Sequence, residues 1–264
     1  MHSFLPWPYP KIIAHRGGGS LAPENTLAAI RKGAELKFGG VEFDVQLAAC
    51  STPILMHDET LERTTNGSGN VSEKTYEDIL KLDAGSRFSK KFRGEPVPTF
   101  AQAGALCVEL GLWVNIEIKP SHGMEGKTGA AVARLAAELW RNKTPQPLLS
   151  SFSTTALEAA KRVAPELPRG LLVERVPGDW CDQLEDLDCI SLHCSYRYLT
   201  EKTAAAVRNA GKHLLCYTVN DKGSASWLFE EGVDAIFTDK LNLIPPNFAD
   251  AWVAAKDAED VIED

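Results

Sequence analysis

Eight short apolar runs rich in β-branched and aromatic residues recur along the chain, at 11–15, 40–44, 112–119, 147–152, 169–174, 188–193, 213–219 and 233–239. Between most of them lie helical patterns, such as 26–37, 130–140 and 201–211. Strands that alternate with helices pack as parallel βαβ units, so the pattern predicts a parallel sheet covered by helices. Eight repeats exceed the five or six strands usual in an open doubly wound sheet. They match an α/β, eight-stranded parallel (β/α)8 TIM-type barrel near its minimum length. The expectation is a single barrel domain over 1–248 and an acidic tail at 249–264.

The 264 residues are 44% hydrophobic and 24% charged, enough to bury a large core without disulfides or metals as staples. No apolar stretch approaches the roughly 20 residues of a spanning helix, so no membrane insertion is expected. The net charge is −8, and the last 19 residues, with six acids and one lysine, carry most of it. A body so nearly neutral lacks the basic face that nucleic acid or an anionic membrane requires. A small anionic substrate met by a few local cations remains compatible. Six scattered cysteines form no CxxC pair, and the N-terminus has neither a basic start nor a long apolar stretch. Both features predict a cytoplasmic setting. The oligomeric state is not legible.

One further strand-like run, 52–57, lies only a few residues beyond the second strand. A parallel crossover needs about a dozen residues, so this connection must be a hairpin. Residues whose numbers sum to about 100 would then pair, and the return arm would deliver His57 beside Glu42 and Asp44. Residues 59–99 are polar and rich in Gly, Ser and Lys; they read as an inserted segment on the catalytic face.

Glu42 and Asp44 are two apart on a strand and share one face. Asn115, Glu117 and Lys119 take the parity opposite to Ile116 and Ile118, which suit the helix-covered side. Three acids inside a barrel cost several kcal/mol each, in rough terms, if left ionised and unpaired. Either Lys119 and Arg16 neutralise them, or they hold a hard divalent cation, Mg²⁺ favoured and Ca²⁺ possible. His15 and His57 close strands at the rim where barrel enzymes place catalytic groups, and suit a general acid and base. His122, His193 and His213 lack such company. The glycines at 17–19 allow backbone to approach an anion beside Arg16, a fork donor suited to phosphate. Pro23 and Glu24 read only as a helix start. Tyr217 and Phe152 wall a pocket or pack a core, and Asp239 reads as a structural acid or cap.

The motifs HRGG (15–18), APENT (22–26), EFDV (42–45), MHDETLERTTNGSG (56–69), EPVPT (95–99), NIEIKP (115–120), YTVN (217–220) and GVDAIFTD (232–239) occur in this order. With them the chain resembles the glycerophosphodiester phosphodiesterases over about residues 9–248, most closely the compact cytosolic bacterial members. The resemblance implies a barrel with an insertion after its second strand. It also implies metal-dependent hydrolysis of deacylated phospholipids, glycerophosphodiesters, to glycerol 3-phosphate and an alcohol. By the same resemblance Glu42, Asp44 and Glu117 would be metal ligands and His15 and His57 the acid–base pair. Arg16 and Lys119 would hold the phosphate, with Tyr217 also against the substrate. The family often carries a TKDG-type turn before the histidine arm; AACST at 48–52 replaces it, which predicts a looser loop. Two other functions fit the same residues, a metal-dependent sugar-phosphate lyase or isomerase and a catalytically silent phosphodiester-binding barrel.

Overall fold

A computed structural model of the chain describes residues 6–252. Its strands are β1 (Ile12–Ala14), β2 (Gly40–Leu47), β3 (Pro53–Leu55), β4 (Trp113–Ile118), β5 (Leu148–Ser151), β6 (Arg169–Val173), β7 (Ser191–Ser195), β8 (His213–Tyr217) and β9 (Ala235–Thr238). Eight of them pair side by side in parallel, and β1 pairs with both β9 and β2, which closes the ring. The barrel expected from the sequence is therefore the observed fold. Most of the tail at 249–264 lies outside the described residues.

Helices α1 (Leu27–Glu35), α2 (Tyr76–Ile79), α3 (Phe100–Leu110), α4 (Glu125–Leu139), α5 (Thr154–Val163), α6 (Trp180–Asp186), α7 (Glu201–Asn209) and α8 (Lys222–Glu230) connect the strands. Their starts are written in the sequence. Thr26, Ser153, Thr200 and Asp221 each accept a backbone N–H from the first turn of their helix. Thr99 and Gln102 form a reciprocal capping box on α3, and Gly111 ends that helix at φ 67°.

Strand parity sorts the barrel into two cores. Val41, Phe43, Val45, Val114, Ile116 and Ile118 pack outwards against the helices. Ile13, Trp113, Leu148, Leu215, Ala235 and Phe237 fill the lumen. The N-terminal segment, read from its prolines only as non-helical, plugs the lower end: Tyr9 stacks on Trp113 with centroids 4.6 Å apart, and Trp7 stands edge-on to both. The upper end is left to polar residues.

At that upper end β2 overruns the barrel and β3 folds back on it. Val45 pairs with Leu55, Gln46 with Ile54 and Leu47 with Pro53, the register expected from the sequence. The turn is not loose. Ser51 takes φ 62°, the left-handed conformation usual for glycine. The Ala49 N–H donates to Lys74 O at 2.8 Å, which pins the turn to the inserted segment. That segment has a small core of its own, in which Leu61, Val71, Ile79, Ala84 and Val97 pack on Ile54 and Met56.

Candidate active site

The C-terminal ends of β1, β2 and β4 and the return arm after β3 converge on one cavity of about 220 Å³. Its lining includes His15, Arg16, Glu42, His57, Asn115, Glu117, Lys119, Phe152 and Tyr217. A second space of about 570 Å³ opens beside it, between Gln46, His57, Lys119, Glu125 and Phe152.

Carboxylate oxygens of Glu42, Asp44 and Glu117 lie within 4.8 Å of one another. The ladder explains why: Asp44 is the direct partner of Glu117, and Glu42 of Asn115, on adjacent strands with the same inward parity. Glu42 and Asp44 are buried. Burial first, then the charges of Asp44 and Glu117, hold the Glu42 carboxyl well above the usual range. Burial, then the charge of Asp44, pushes Glu117 up to about 7, against the pull of Lys119. Burial would raise Asp44 too, but Arg16, His57 and Lys119 outweigh it, and its carboxyl sits below the ordinary range. Asn25 fixes that side chain: its Nδ2 donates to Asp44 Oδ2 at 2.7 Å, and its Oδ1 accepts the Asp44 N–H at 3.0 Å.

This donor set fits a hard divalent cation. Glu42 Oε1 and Asn115 Oδ1 are buried acceptor oxygens with no hydrogen-bond partner. Acceptors left bare inside a protein are costly, and a cation among oxygen ligands satisfies them. The nearby cations face the other acids: Lys119 Nζ donates to Glu117 Oε1 at 3.3 Å, and Arg16 Nε and Lys119 Nζ stand 3.7 and 3.9 Å from Asp44, which leaves those two oxygens bare.

The two histidines flank this cluster in the same manner. His15 Nδ1 is 2.7 Å from Asp239 Oδ1, and His57 Nδ1 is 2.7 Å from Asp58 Oδ1. A carboxylate at Nδ1 keeps the proton there and leaves Nε2 as the basic, accepting atom. His15 Nε2 lies 3.9 Å from Glu42 Oε2, and Lys119 Nζ donates to His57 Nε2 at 3.3 Å. Burial holds His57 below the usual imidazole range, with Asp44 opposing it.

Tyr217 reaches the cavity with its ring, 6.0 Å from and edge-on to Phe152, while its hydroxyl donates to Val173 O at 2.8 Å. All eight residues singled out from the sequence therefore meet at one mouth. The roles of three others were not legible. Asp239 is no mere cap but the partner of His15, held in turn by Asn220. Glu24 is no mere helix start: it accepts Arg16 NH1 at 2.6 Å and is gripped by Arg63. The glycine run serves packing more than ligand approach. A Cβ on Gly19, at φ 51°, would stand 2.4 Å from Asp239 O, and that closeness brings Asp239 to His15. A rim loop ending in Asp and facing a rim histidine was the available signal for Asp239.

Residues 15–243 match the Glycerophosphoryl diester phosphodiesterase family. A glycerophosphodiester phosphodiesterase of Caldanaerobacter subterraneus subsp. tengcongensis is 36% identical over 233 residues, covering 86% of this chain and 93% of that one. A Bacillus subtilis glycerophosphodiester phosphodiesterase is 30% identical over 245 residues, covering 88% and 84%. Among solved structures, a phosphodiesterase of Oleispira antarctica in complex with the product sn-glycerol-3-phosphate superposes with a TM-score of 0.87 at 34% identity, covering 93% of this chain and 97% of that one. With a closed parallel barrel and matches over nearly its whole length, the chain belongs to the glycerophosphoryl diester phosphodiesterase family.

Proposed function

We propose that the chain hydrolyses glycerophosphodiesters to glycerol 3-phosphate and an alcohol. Glu42, Asp44 and Glu117 would hold one divalent cation, Mg²⁺ favoured and Ca²⁺ possible, and His15 and His57 would move the protons. One observation carries this reading: two imidazoles, each backed by a carboxylate at 2.7 Å, flank a single buried cluster of three acids. The Oleispira antarctica relative, described in complex with sn-glycerol-3-phosphate, supports the substrate class.

The chemistry follows from the charges. A phosphodiester has a poor leaving group, an alkoxide, and its reaction spreads negative charge over the non-bridging oxygens. When bound, the cation neutralises part of that charge. Arg16 and Lys119 supply the rest, and with a divalent ion the three carboxylates and one phosphodiester balance to zero net charge. One histidine takes the attacker's proton at Nε2 while the other, protonated at Nε2, gives its proton to the departing alkoxide. Each transfer contributes about 10²–10⁴-fold. Asp239 and Asp58 stabilise the imidazolium that each histidine becomes in turn. Tyr217 and Phe152 offer ring faces and edges to the apolar part of the substrate. Two rim histidines suit displacement at phosphorus better than proton removal beside a carbonyl, and their presence disfavours a silent barrel.

No helix among the described residues is long and apolar enough to cross a membrane. The scattered cysteines, with no CxxC pair, support a cytoplasmic setting for the enzyme.

The test is release of glycerol 3-phosphate from glycerophosphocholine and glycerophosphoethanolamine. EDTA should abolish release, and Mg²⁺ or Ca²⁺ should restore it. His15→Ala and His57→Ala should each lower kcat by about 10² or more with the fold intact. Full turnover in excess EDTA, or a near-normal rate in either variant, overturns that part of the reading.

A further inference from the structure

We propose that Arg63, in the inserted segment, is a positioning residue for the reaction: its guanidinium fixes Asp58, and through Asp58 it aims His57 into the site. The inference deepens the reading of His57 given above and rests on it.

The geometry is a chain of charge-assisted contacts. Arg63 Nε donates to Asp58 Oδ2 at 2.6 Å, and its NH2 donates to Asp58 Oδ1 at 2.9 Å. The same guanidinium donates to Glu24, from NH1 to Oε2 at 2.6 Å and from NH2 to Oε1 at 2.8 Å. Glu24 Oε1 also accepts Arg16 NH1 at 2.6 Å. At the other end, Asp58 Oδ1 accepts the His57 Nδ1–H at 2.7 Å. One planar fork therefore joins the loop after β1, which carries Arg16, to the arm after β3, which carries His57.

A guanidinium is rigid and presents its donors in fixed directions, so a doubly forked arginine leaves each carboxylate one orientation. The Asp58 side chain is 27% exposed even with Arg63 in place, and without Arg63 it would be free to turn away from His57. The imidazole would then lose the acceptor that keeps its proton on Nδ1. Stability alone does not account for the arrangement. The Arg63 side chain is 47% exposed, where an isolated ion pair is worth about 0–1 kcal/mol and a bidentate network somewhat more. Two of its four short contacts grip the acid that holds His57 Nδ1, a choice of partner that a strap on the fold does not require and orientation does. Leu61, buried in the insertion's own core, sets the backbone from which Arg63 reaches across.

The competing account is a strap that merely holds the insertion down. Arg63→Ala in the full chain separates the two. As a positioning residue, Arg63 should on removal cost kcat about 10–100-fold, the range for partners that orient a catalytic group, with KM changed far less. The thermal midpoint should stay within a few degrees. Added guanidinium ion at tens of millimolar should recover several-fold in rate, whereas Arg63→Lys, without a fork, should recover little. In a cycle with Asp58→Asn, the double variant should lose no more than the worse single one.

A second readout is independent of turnover. In protein labelled with ¹⁵N-histidine, the His57 Nδ1–H resonance should be lost to solvent exchange in Arg63→Ala while that of His15 persists. A near-normal kcat with an unchanged His57 resonance overturns the inference. So do losses that multiply in the double variant. If the wild-type chain releases no glycerol 3-phosphate at all, the functional reading fails by itself, and the resonance still decides whether Arg63 orients His57.

Discussion

Replacing Glu117 by Gln should make the metal-free protein more stable and the metal-loaded protein less so, an inversion that few other accounts of the site produce. The Glu117 side chain is 14% exposed and 3.3 Å from Lys119 Nζ. Burial first, and Asp44 second, raise its carboxyl from 4.5 to about 7. A carboxyl raised in the folded state contributes stability that is fully present below about pH 4.5 and is lost as pH climbs through about 7. Each unit corresponds to about 1.4 kcal/mol, so ionised Glu117 costs the metal-free fold up to about 3 kcal/mol at about pH 8. Gln keeps the shape and removes that cost, which is already net of the opposing pull of Lys119. The gain is therefore up to about 3 kcal/mol, or roughly 6–12 °C in thermal midpoint for a chain of this size. A cation at about 1,000 times its Kd stabilises the wild type by about 4 kcal/mol, and the variant, short of one ligand, far less. Thermal unfolding followed by circular dichroism at about pH 8, in EDTA and then in excess Mg²⁺ or Ca²⁺, reads both effects. The EDTA difference should fade near pH 5, where Glu117 is protonated in the folded state. A variant less stable than wild type in EDTA at about pH 8, or equal stabilisation of both proteins by the cation, would refute the reasoning.

Two further outcomes follow from contacts already described. Asp239→Asn should lower kcat for glycerol 3-phosphate release by about 10–100-fold, because His15 loses the carboxylate that orients its ring and holds the Nδ1 proton; a rate within twofold of wild type removes Asp239 from the mechanism. Gly129→Ala should destabilise the barrel by about 2–3 kcal/mol with the site chemistry unchanged. A Cβ there would stand 2.1 Å from Ala156 O, where α4 meets α5; urea unfolding with an unshifted midpoint would show that the two helices are not held that closely.

The barrel was legible because two periods carry it: alternation along each strand and the longer alternation of strands with helices. The inward acids were legible for the same reason, since parity fixes a face without any knowledge of the neighbouring strand. The hairpin register could be counted approximately, because a turn near residue 50 sets residues summing to about 100 opposite one another, and the observed pairs sum to 100. What stayed hidden came from elsewhere in the chain. Asp239 meets His15 across 224 residues and Arg63 meets Glu24 across 39, and no period links such pairs. Asn25 was invisible for a further reason: it sits at φ 56° in a loop, where side-chain direction follows backbone twist rather than any repeat. The glycines at 17–19 could be read as permissive. That what they permit is close packing against Asp239 and α1 required the neighbours.

The overrunning hairpin divides labour between its arms and its tip. The Met56 N–H donates to Asp44 O at 3.1 Å, so the strand that brings an acid to the mouth also dictates where the adjacent imidazole stands. A slip of one residue between the arms would turn every side chain of the return arm to the other face. The tip carries no such duty: a serine stands in for a glycine there, and bonds to the insertion secure it. Drift in the tip's sequence is therefore tolerable, while a change in the count of residues between the acid and the imidazole is not.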